Sequence, residues 1–254
     1  MGNPLLFVLC VGGCVGSFLN VVVHRLPRGE SLVWPGSRCP RCTTRLRPVD
    51  NIPLLSYLFL AARCRACGAP IATRYPVLEG LGGLVFVGAY LTRGLTLEAA
   101  VMAMCLALLI AVAVIDLDSF VIPDSLCLAI AAGGVSMAWV STDGPSLESR
   151  LVAGVVGAGC LWALGVVSRG GMGLGDAKLV GAMGVFLGPK SVILAFAVAS
   201  VLGATAGIVL LSTRRKRRGD PIPFGPFLVM GSLVAALSGD ALLALYQREF
   251  LGPP

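Results

Sequence analysis

The sequence predicts an all-α polytopic membrane protein with about eight transmembrane helices and a small zinc-binding insert on the cytoplasmic side. Of its 254 residues, 56% are hydrophobic and only 13% are charged, with a mean hydropathy of +0.88. A soluble domain is nearer to a quarter charged. The apolar residues fall in runs close to the ~20 residues that a spanning helix needs. One sizeable polar segment, residues 24–75, interrupts these runs and carries paired cysteines.

Eight apolar runs predict the transmembrane helices. The first has no basic region before it and no clear small-residue cleavage site after it, so we interpret it as a retained helix and not as a cleaved signal peptide. The sixth and seventh are separated only by the sequence GPK at 188–190. The predicted helices are 4–23, 76–92, 97–115, 120–140, 148–168, 174–188, 190–212 and 224–246.

The basic residues predict the orientation of these helices. If the eight helices alternate in direction, 16 of the 20 lysines and arginines lie on one side. Positive residues stay in the cytoplasm, so that side faces inward and both chain ends face outward. Without the short sixth helix, the run RRKRR at 214–218 would lie outside, which the same rule disfavours. No aromatic-interleaved or helix-turn-helix pattern accompanies the basic runs, so we expect no nucleic-acid partner.

The polar insert carries two C-x2-C pairs with 21 residues between them. This spacing is typical of zinc-ribbon or zinc-knuckle sites. Four thiolates leave no open position on the metal, so the predicted site is structural. The alternatives are four unrelated thiols or two disulfides, and disulfides are disfavoured in a reducing compartment. The predicted zinc ligands are Cys39, Cys42, Cys64 and Cys67.

Carboxylates near membrane depth are the candidates for chemistry, because an aspartate at mid-bilayer costs about 2.5–3.5 kcal/mol and such residues usually carry function. Asp116 ends the third predicted helix and Asp176 begins the sixth. Both lie at the predicted cytoplasmic boundary, where they can converge. Because helix N-termini favour anions, Asp176 is the better candidate for the charged member of the pair.

The glycines at 171, 173 and 175 predict a surface on which an extended substrate backbone could lie. We therefore expect Gly173 and Gly175 to bind substrate. The alternative is that the aspartates only cap helices at a wet interface. We prefer that alternative for Asp118 and Asp124, while for the other two both interpretations stay open.

Six motifs, in order along nearly the whole chain, resemble the bacterial prepilin peptidases, which are G-x-G-D intramembrane aspartic proteases. They are GSFLNVVVHRLP at 16–27, the two C-x2-C pairs, RYPVLEG at 74–80, DLDSFVIPD at 116–124, GMGLGDAKL at 171–179 and PIPFGPFL at 221–228. Family members commonly have glycine and then a basic residue just before the second pair, where this chain has Ala62 and Arg63.

The resemblance implies a function. Asp116 and Asp176 would be the catalytic aspartates of an endopeptidase that cuts the basic leader from type IV prepilins and type II secretion pseudopilins after a glycine. It would do so in the inner membrane, surrounded by lipid, with the site and the zinc insert facing the cytoplasm. The enzyme would then methylate the new N-terminus with S-adenosylmethionine, an activity associated with the insert. No residue is predicted to bind the methyl donor.

Implied domains are a first helix (1–23), the cysteine insert (24–75) and a transmembrane peptidase core (76–254). Three other interpretations stay open. The chain could be a peptidase without methyltransferase activity, an ion- or proton-coupled transporter that uses the paired aspartates, or a membrane scaffold that docks partners through its insert. A transporter normally places such acids near the bilayer midplane, often in repeated halves, and no internal repeat is evident here.

Overall fold

The computed structural model describes residues 3–167, 173–217, 219–246 and 248. Within these ranges the chain forms nine α-helices and two short 3₁₀ helices, Leu26–Arg28 and Pro48–Asn51, and no β-strand. The α-helices are α1 (Pro4–Arg25), α2 (Leu55–Phe59), α3 (Arg74–Arg93), α4 (Leu97–Ser119), α5 (Asp124–Val140), α6 (Leu147–Val167), α7 (Leu174–Leu187), α8 (Pro189–Ser212) and α9 (Gly225–Tyr246).

Each of the eight predicted apolar runs is a helix, which confirms the all-α prediction; α2 is an additional short helix inside the polar insert. Among the residues that the structure describes, five helices, α1, α3, α4, α6 and α8, are long and apolar enough to cross a membrane. α5 and the apolar part of α9 are shorter, and α7 has only 14 residues. The chain is therefore a multi-pass membrane protein, and the number of eight spans stays a prediction.

The junction between the third and fourth predicted helices lies further along the chain than the sequence suggested. α4 continues to Ser119 and α5 begins only at Asp124. Phe120 has a left-handed backbone with φ 54°, and Pro123 takes the extended conformation before α5. These two residues break the helix, so Asp116 lies inside the last turn of α4.

The chain divides into two compact units, Met1–Ala107 and Leu108–Pro254. In the first unit, α1 and α3 pack backbone to backbone through glycines. A Cβ atom added at Gly12 would lie 2.6 Å from the Gly82 carbonyl oxygen, and one added at Gly82 would lie 2.5 Å from the Gly12 carbonyl oxygen. Small residues allow such close approach of helices in lipid.

In the second unit, α7 packs against both α5 and α6. Its contacts are also glycine-mediated: a Cβ at Gly134 of α5 would lie 2.5 Å from the Phe186 nitrogen, and one at Gly154 of α6 would lie 2.8 Å from the Gly181 carbonyl oxygen. Because neither neighbour can move closer or accept a side chain here, the position of α7 in this unit is tightly defined.

The C-terminal end of α7 is capped by a buried cation. Arg150 of α6 is 3% exposed and donates hydrogen bonds to the carbonyl oxygens of Val185, at 3.4 Å, and Phe186. These carbonyls have no partner within the helix, and a cation there also complements the negative end of the helix dipole. The short helix that begins near Asp176 is thus held at its other end.

Candidate active site and metal centre

The first C-x2-C pair lies in a tight turn between the bridged residues Arg38 and Arg45. The Cys39 backbone N–H donates to the Thr44 carbonyl at 3.0 Å, and the Thr43 N–H donates to the Cys39 carbonyl at 2.9 Å. Thr43 takes a left-handed backbone with φ 58°. This local hydrogen-bonded turn fixes the spacing of the two cysteines.

The second pair repeats this turn between the bridged residues Arg63 and Pro70. The Cys64 N–H donates to the Ala69 carbonyl at 2.8 Å, and the Gly68 N–H donates to the Cys64 carbonyl at 2.9 Å. Gly68, with φ 68°, occupies the position that Thr43 has in the first turn. The two turns therefore have the same geometry, and each places two cysteines close together.

The structure brings the four predicted cysteines together, with all four Sγ atoms within 4.8 Å of one another. Cys39 Sγ and Cys67 Sγ are 3.9 Å apart. A tetrahedral zinc with Zn–S bonds of about 2.3 Å requires sulfurs about 3.8 Å apart. The cluster can hold a metal ion, and its four-thiol donor set fits zinc.

Two polar contacts support the cluster. Hydrogen bonding with Thr44, whose hydroxyl is 3.3 Å from the sulfur, lowers the pKa of Cys42 to about 6. Arg65, between the second pair of cysteines, forms an ion pair with Asp50 at 2.7 Å. Arg65 holds the pKa of Asp50 below its usual range. The ion pair ties the second knuckle to the 3₁₀ helix Pro48–Asn51.

In the second unit, Asp116 is the better buried of the two predicted catalytic aspartates, with 5% exposure. Its Oδ2 accepts a hydrogen bond of 3.0 Å from the backbone N–H of Gly225, the first residue of α9. A helix N-terminus carries partial positive charge and free N–H donors, so it stabilises a carboxylate. A Cβ at residue 225 would lie 2.6 Å from Asp116 Oδ2, which leaves no room for a side chain.

Asp176 lies in the first turn of α7 and is half-buried. Its Oδ2 lies 3.3 Å from the position that a Cβ on Gly173 would take. The carboxylate interacts electrostatically with Asp116, although the two residues are 60 positions apart in sequence. α4, α7 and the start of α9 thus bring together the two acids that the sequence proposed as a pair.

The two glycines predicted to bind substrate have local packing roles. Gly173 lies against Asp176, and a Cβ on Gly175 would lie 3.2 Å from the Ile122 Cβ. Their substrate-binding role stays a prediction. Gly171, the third glycine of that motif, lies outside the described residues.

Asp124, for which the sequence favoured a capping role, starts α5 and pairs with Lys178 of α7. Its Oδ1 is 2.8 Å from the lysine Nζ, and both side chains are exposed. This pair joins the two helices at the end where Asp176 lies.

Sequence reasoning missed Gly225. The one signal for it in the sequence is the motif PIPFGPFL at 221–228, which does not by itself indicate a role. Helix ends alone do not single out Asp176 as the charged acid, because the N-terminus of α9 supplies a donor to Asp116. Ala62, where the resembling family commonly has glycine, takes a left-handed backbone with φ 57°, which explains why glycine suits that position.

Comparison with family models gives two adjacent matches. Residues 10–93 match the Bacterial Peptidase A24 N-terminal domain, and residues 103–208 match the Type IV leader peptidase family. The first range includes the cysteine cluster, and the second includes both aspartates. No solved structure matches the chain.

Curated relatives match over nearly the full length of both chains. A prepilin leader peptidase/N-methyltransferase from Stutzerimonas stutzeri is 37% identical, covering 97% of this chain and 96% of the relative. A protein of the same name from Pseudomonas aeruginosa is 36% identical over 97% and 95%. Another, from Aeromonas hydrophila, is 34% identical over 93% and 91%. With both family models and near-complete relatives in agreement, this chain belongs to the type IV leader peptidase family, together with the prepilin leader peptidase/N-methyltransferases.

Proposed function

We propose that this chain is an aspartic endopeptidase that removes the basic leader of type IV prepilins and pseudopilins, cutting after a glycine, with Asp116 and Asp176 as its catalytic residues. The observation that carries the proposal is the convergence of these two aspartates in one unit, one of them fixed by the N-terminus of α9. Two carboxyl groups in one site can divide the tasks of base and acid in amide hydrolysis.

The geometry suggests how the tasks are divided. Asp116, whose Oδ2 accepts the Gly225 N–H, is suited to be the anion that takes a proton from water. The water oxygen attacks the scissile carbonyl carbon. Asp176 then delivers a proton to the amide nitrogen, the C–N bond breaks, and proton transfer between the acids restores the starting state. This assignment makes Asp116 the charged aspartate, whereas the helix ends in the sequence favoured Asp176.

The cysteine insert belongs to a second part of the proposal. Cys39, Cys42, Cys64 and Cys67 would hold a structural Zn²⁺ that joins the two knuckles and leaves no position open for catalysis. The insert, residues 24–75, would serve methylation of the new N-terminus, for which S-adenosylmethionine supplies the methyl group when bound. No residue of this chain is assigned to the methyl donor.

We also propose the cellular arrangement that the charge distribution favours. The chain would lie in the bacterial inner membrane with the insert and the aspartates toward the cytoplasm. A prepilin is an apolar helix preceded by a basic leader, so it would meet the site where its helix leaves the bilayer. The peptidase core would be residues 76–254.

Co-expression of the chain with a prepilin tests the peptidase. Asp116→Asn and Asp176→Asn should each reduce leader cleavage by about 10³-fold, because general acid–base catalysis contributes 10²–10⁴-fold. Asp118→Asn is the matched control, because Asp118 is exposed and lies only two residues after Asp116. This variant should retain cleavage. If either catalytic variant cleaves like the control, the assignment is wrong. Mass spectrometry of the processed N-terminus, which gains one CH₂ on methylation, tests the second activity separately.

A further inference from the structure

A loop in the insert, residues 31–35, folds back beside the end of α1. Phe18 and Val21 of α1 line one side of a cavity of about 250 Å³, and Leu32, Val33 and Pro35 line another part of its wall. Phe18 lies seven residues before the last residue of α1, about 10 Å along the helix axis. The loop therefore returns to the level of the final turns of a helix that is long and apolar enough to span the membrane.

Arg25 fixes the shape of this loop. Its guanidinium donates to the Ser31 carbonyl at 2.9 Å and to the Pro35 carbonyl at 2.7 Å, one at each end of the loop. Inside the loop, the Ser31 hydroxyl accepts hydrogen bonds from the N–H groups of Val33, at 3.3 Å, and Trp34, at 3.2 Å. The loop is thus built into a defined turn beside the last residue of α1.

The tip of this turn is apolar and exposed. Val33 is 86% exposed and Trp34 is 70% exposed, and the neighbouring Phe18 on α1 is 51% exposed. Contact between this apolar surface and water is unfavourable. Tryptophan prefers the boundary between lipid and water, because one part of its ring system is apolar and its N–H is polar.

The charge around the loop also fits a lipid surface. Residues 24–75 contain nine arginines and no lysine, against two acids, Glu30 and Asp50. Both ends of this segment continue into the apolar helices α1 and α3, so the segment is tethered to the bilayer at two points. Clusters of basic residues next to a span attract anionic headgroups.

We propose that the Arg25-clamped loop is an interfacial anchor, with Val33 and Trp34 inserted among the lipid headgroups of the leaflet on the insert side. Its partner is the membrane surface, and the anchor fixes the height of the cysteine cluster relative to the bilayer. The proposal does not depend on the peptidase chemistry, since it would hold for any activity of the chain.

Tryptophan fluorescence of the full chain in vesicles tests this directly. Trp139→Phe and Trp162→Phe together leave Trp34 as the one tryptophan of the three. In vesicles containing anionic lipid, Trp34 should emit at short wavelength and resist quenching by aqueous iodide. Lipids brominated near the headgroup should quench it more strongly than lipids brominated near the ends of the acyl chains. A matched chain retaining only Trp162, which lies five residues before the last residue of α6 and is 57% exposed, should be quenched by the deeper bromines more strongly than Trp34 is.

Two results would overturn the anchor. Strong quenching of Trp34 by iodide, with no effect of brominated lipid, would place it in water. Protection from both quenchers would mean that protein, and not lipid, covers it. In the Trp34-only chain, Arg25→Gln should shift the emission to longer wavelength and increase iodide quenching, and an unchanged spectrum would refute the clamp.

Discussion

The cysteine cluster and the aspartate pair are built in opposite ways. Each cysteine pair is placed by hydrogen bonds within a turn of a few residues, and the same turn occurs twice. The aspartates lie on separate helices, and the donor that fixes Asp116 is 109 residues away in sequence. The cysteine cluster depends on local chain geometry, whereas the aspartate pair depends on how helices pack.

This difference determines where each site is vulnerable. The cluster should respond mainly to changes in its own ligands and turns. The aspartates should respond to changes in volume at distant glycines, because α7 and α9 touch their neighbours with no space for a methyl group. The variants below separate the two responses, beginning with the largest expected effect.

Gly225→Ala should reduce kcat for leader cleavage by about 100-fold, because misplacement of a catalytic group by about 1 Å has an effect of that size. The added Cβ would lie 2.6 Å from Asp116 Oδ2 and must displace the carboxylate. KM should change little, since the residue acts through Asp116 and not on substrate binding. Cleavage kinetics on a purified prepilin measure both constants.

Gly207→Ala is the control for that variant. Gly207 lies in α8, and a Cβ there would have no atom within 4 Å. It should cleave normally and melt at or slightly above the temperature of the parent chain, because alanine favours the helix more than glycine does. Equal kcat for the Gly225 and Gly207 variants would show that the α9 contact does not position Asp116.

Cys64→Ser should reduce bound zinc from one ion per chain to nearly none, because a structural site needs all four thiolates. Leader cleavage should be affected far less than by Gly225→Ala, and N-methylation should be lost if it depends on the insert. Elemental analysis measures the metal. Cys160→Ser changes an exposed cysteine outside the cluster and should keep the ion; full metal content in the Cys64 variant would contradict the proposed ligand set.

The sequence could predict the helices, and it could also predict which cysteines and which aspartates lie close together, for distinct physical reasons. Long apolar runs identify helices because lipid requires internally satisfied backbones, and the C-x2-C spacing reflects a turn that is local. Gly225 could not be found in this way, because its role arises from the approach of α9 to α4. The break between α4 and α5 was predicted four residues too early, because residues 120–123 are apolar and the left-handed backbone of Phe120 leaves no signal in the sequence.

Ala62→Gly should stabilise the insert by about 1 kcal/mol, because a left-handed backbone costs a non-glycine residue about 1–2 kcal/mol. Ala62 holds this conformation between α2 and the second knuckle: its N–H donates to the Tyr57 carbonyl at 2.9 Å, and its own carbonyl accepts from Ile71 at 2.7 Å. Denaturant unfolding of the zinc-loaded chain measures the change. Ala72→Gly, at an exposed residue outside the left-handed region, should instead destabilise slightly.

The Asp50–Arg65 ion pair should give the smallest effect. The arginine lowers the pKa of Asp50 from its ordinary 3.8, so the carboxylate contributes stability above that value and loses it as the pH falls through the lower, folded pKa. Asp50 therefore stays ionised from about pH 5 to 8, and Asp50→Asn should lower the melting temperature by a constant small amount over this range. Added salt should shrink the difference, because Arg65 is half-exposed and screened. Arg65→Gln should then cause little further loss in the Asp50→Asn chain, and full additivity of the two changes would show that the ion pair does not stabilise the knuckle.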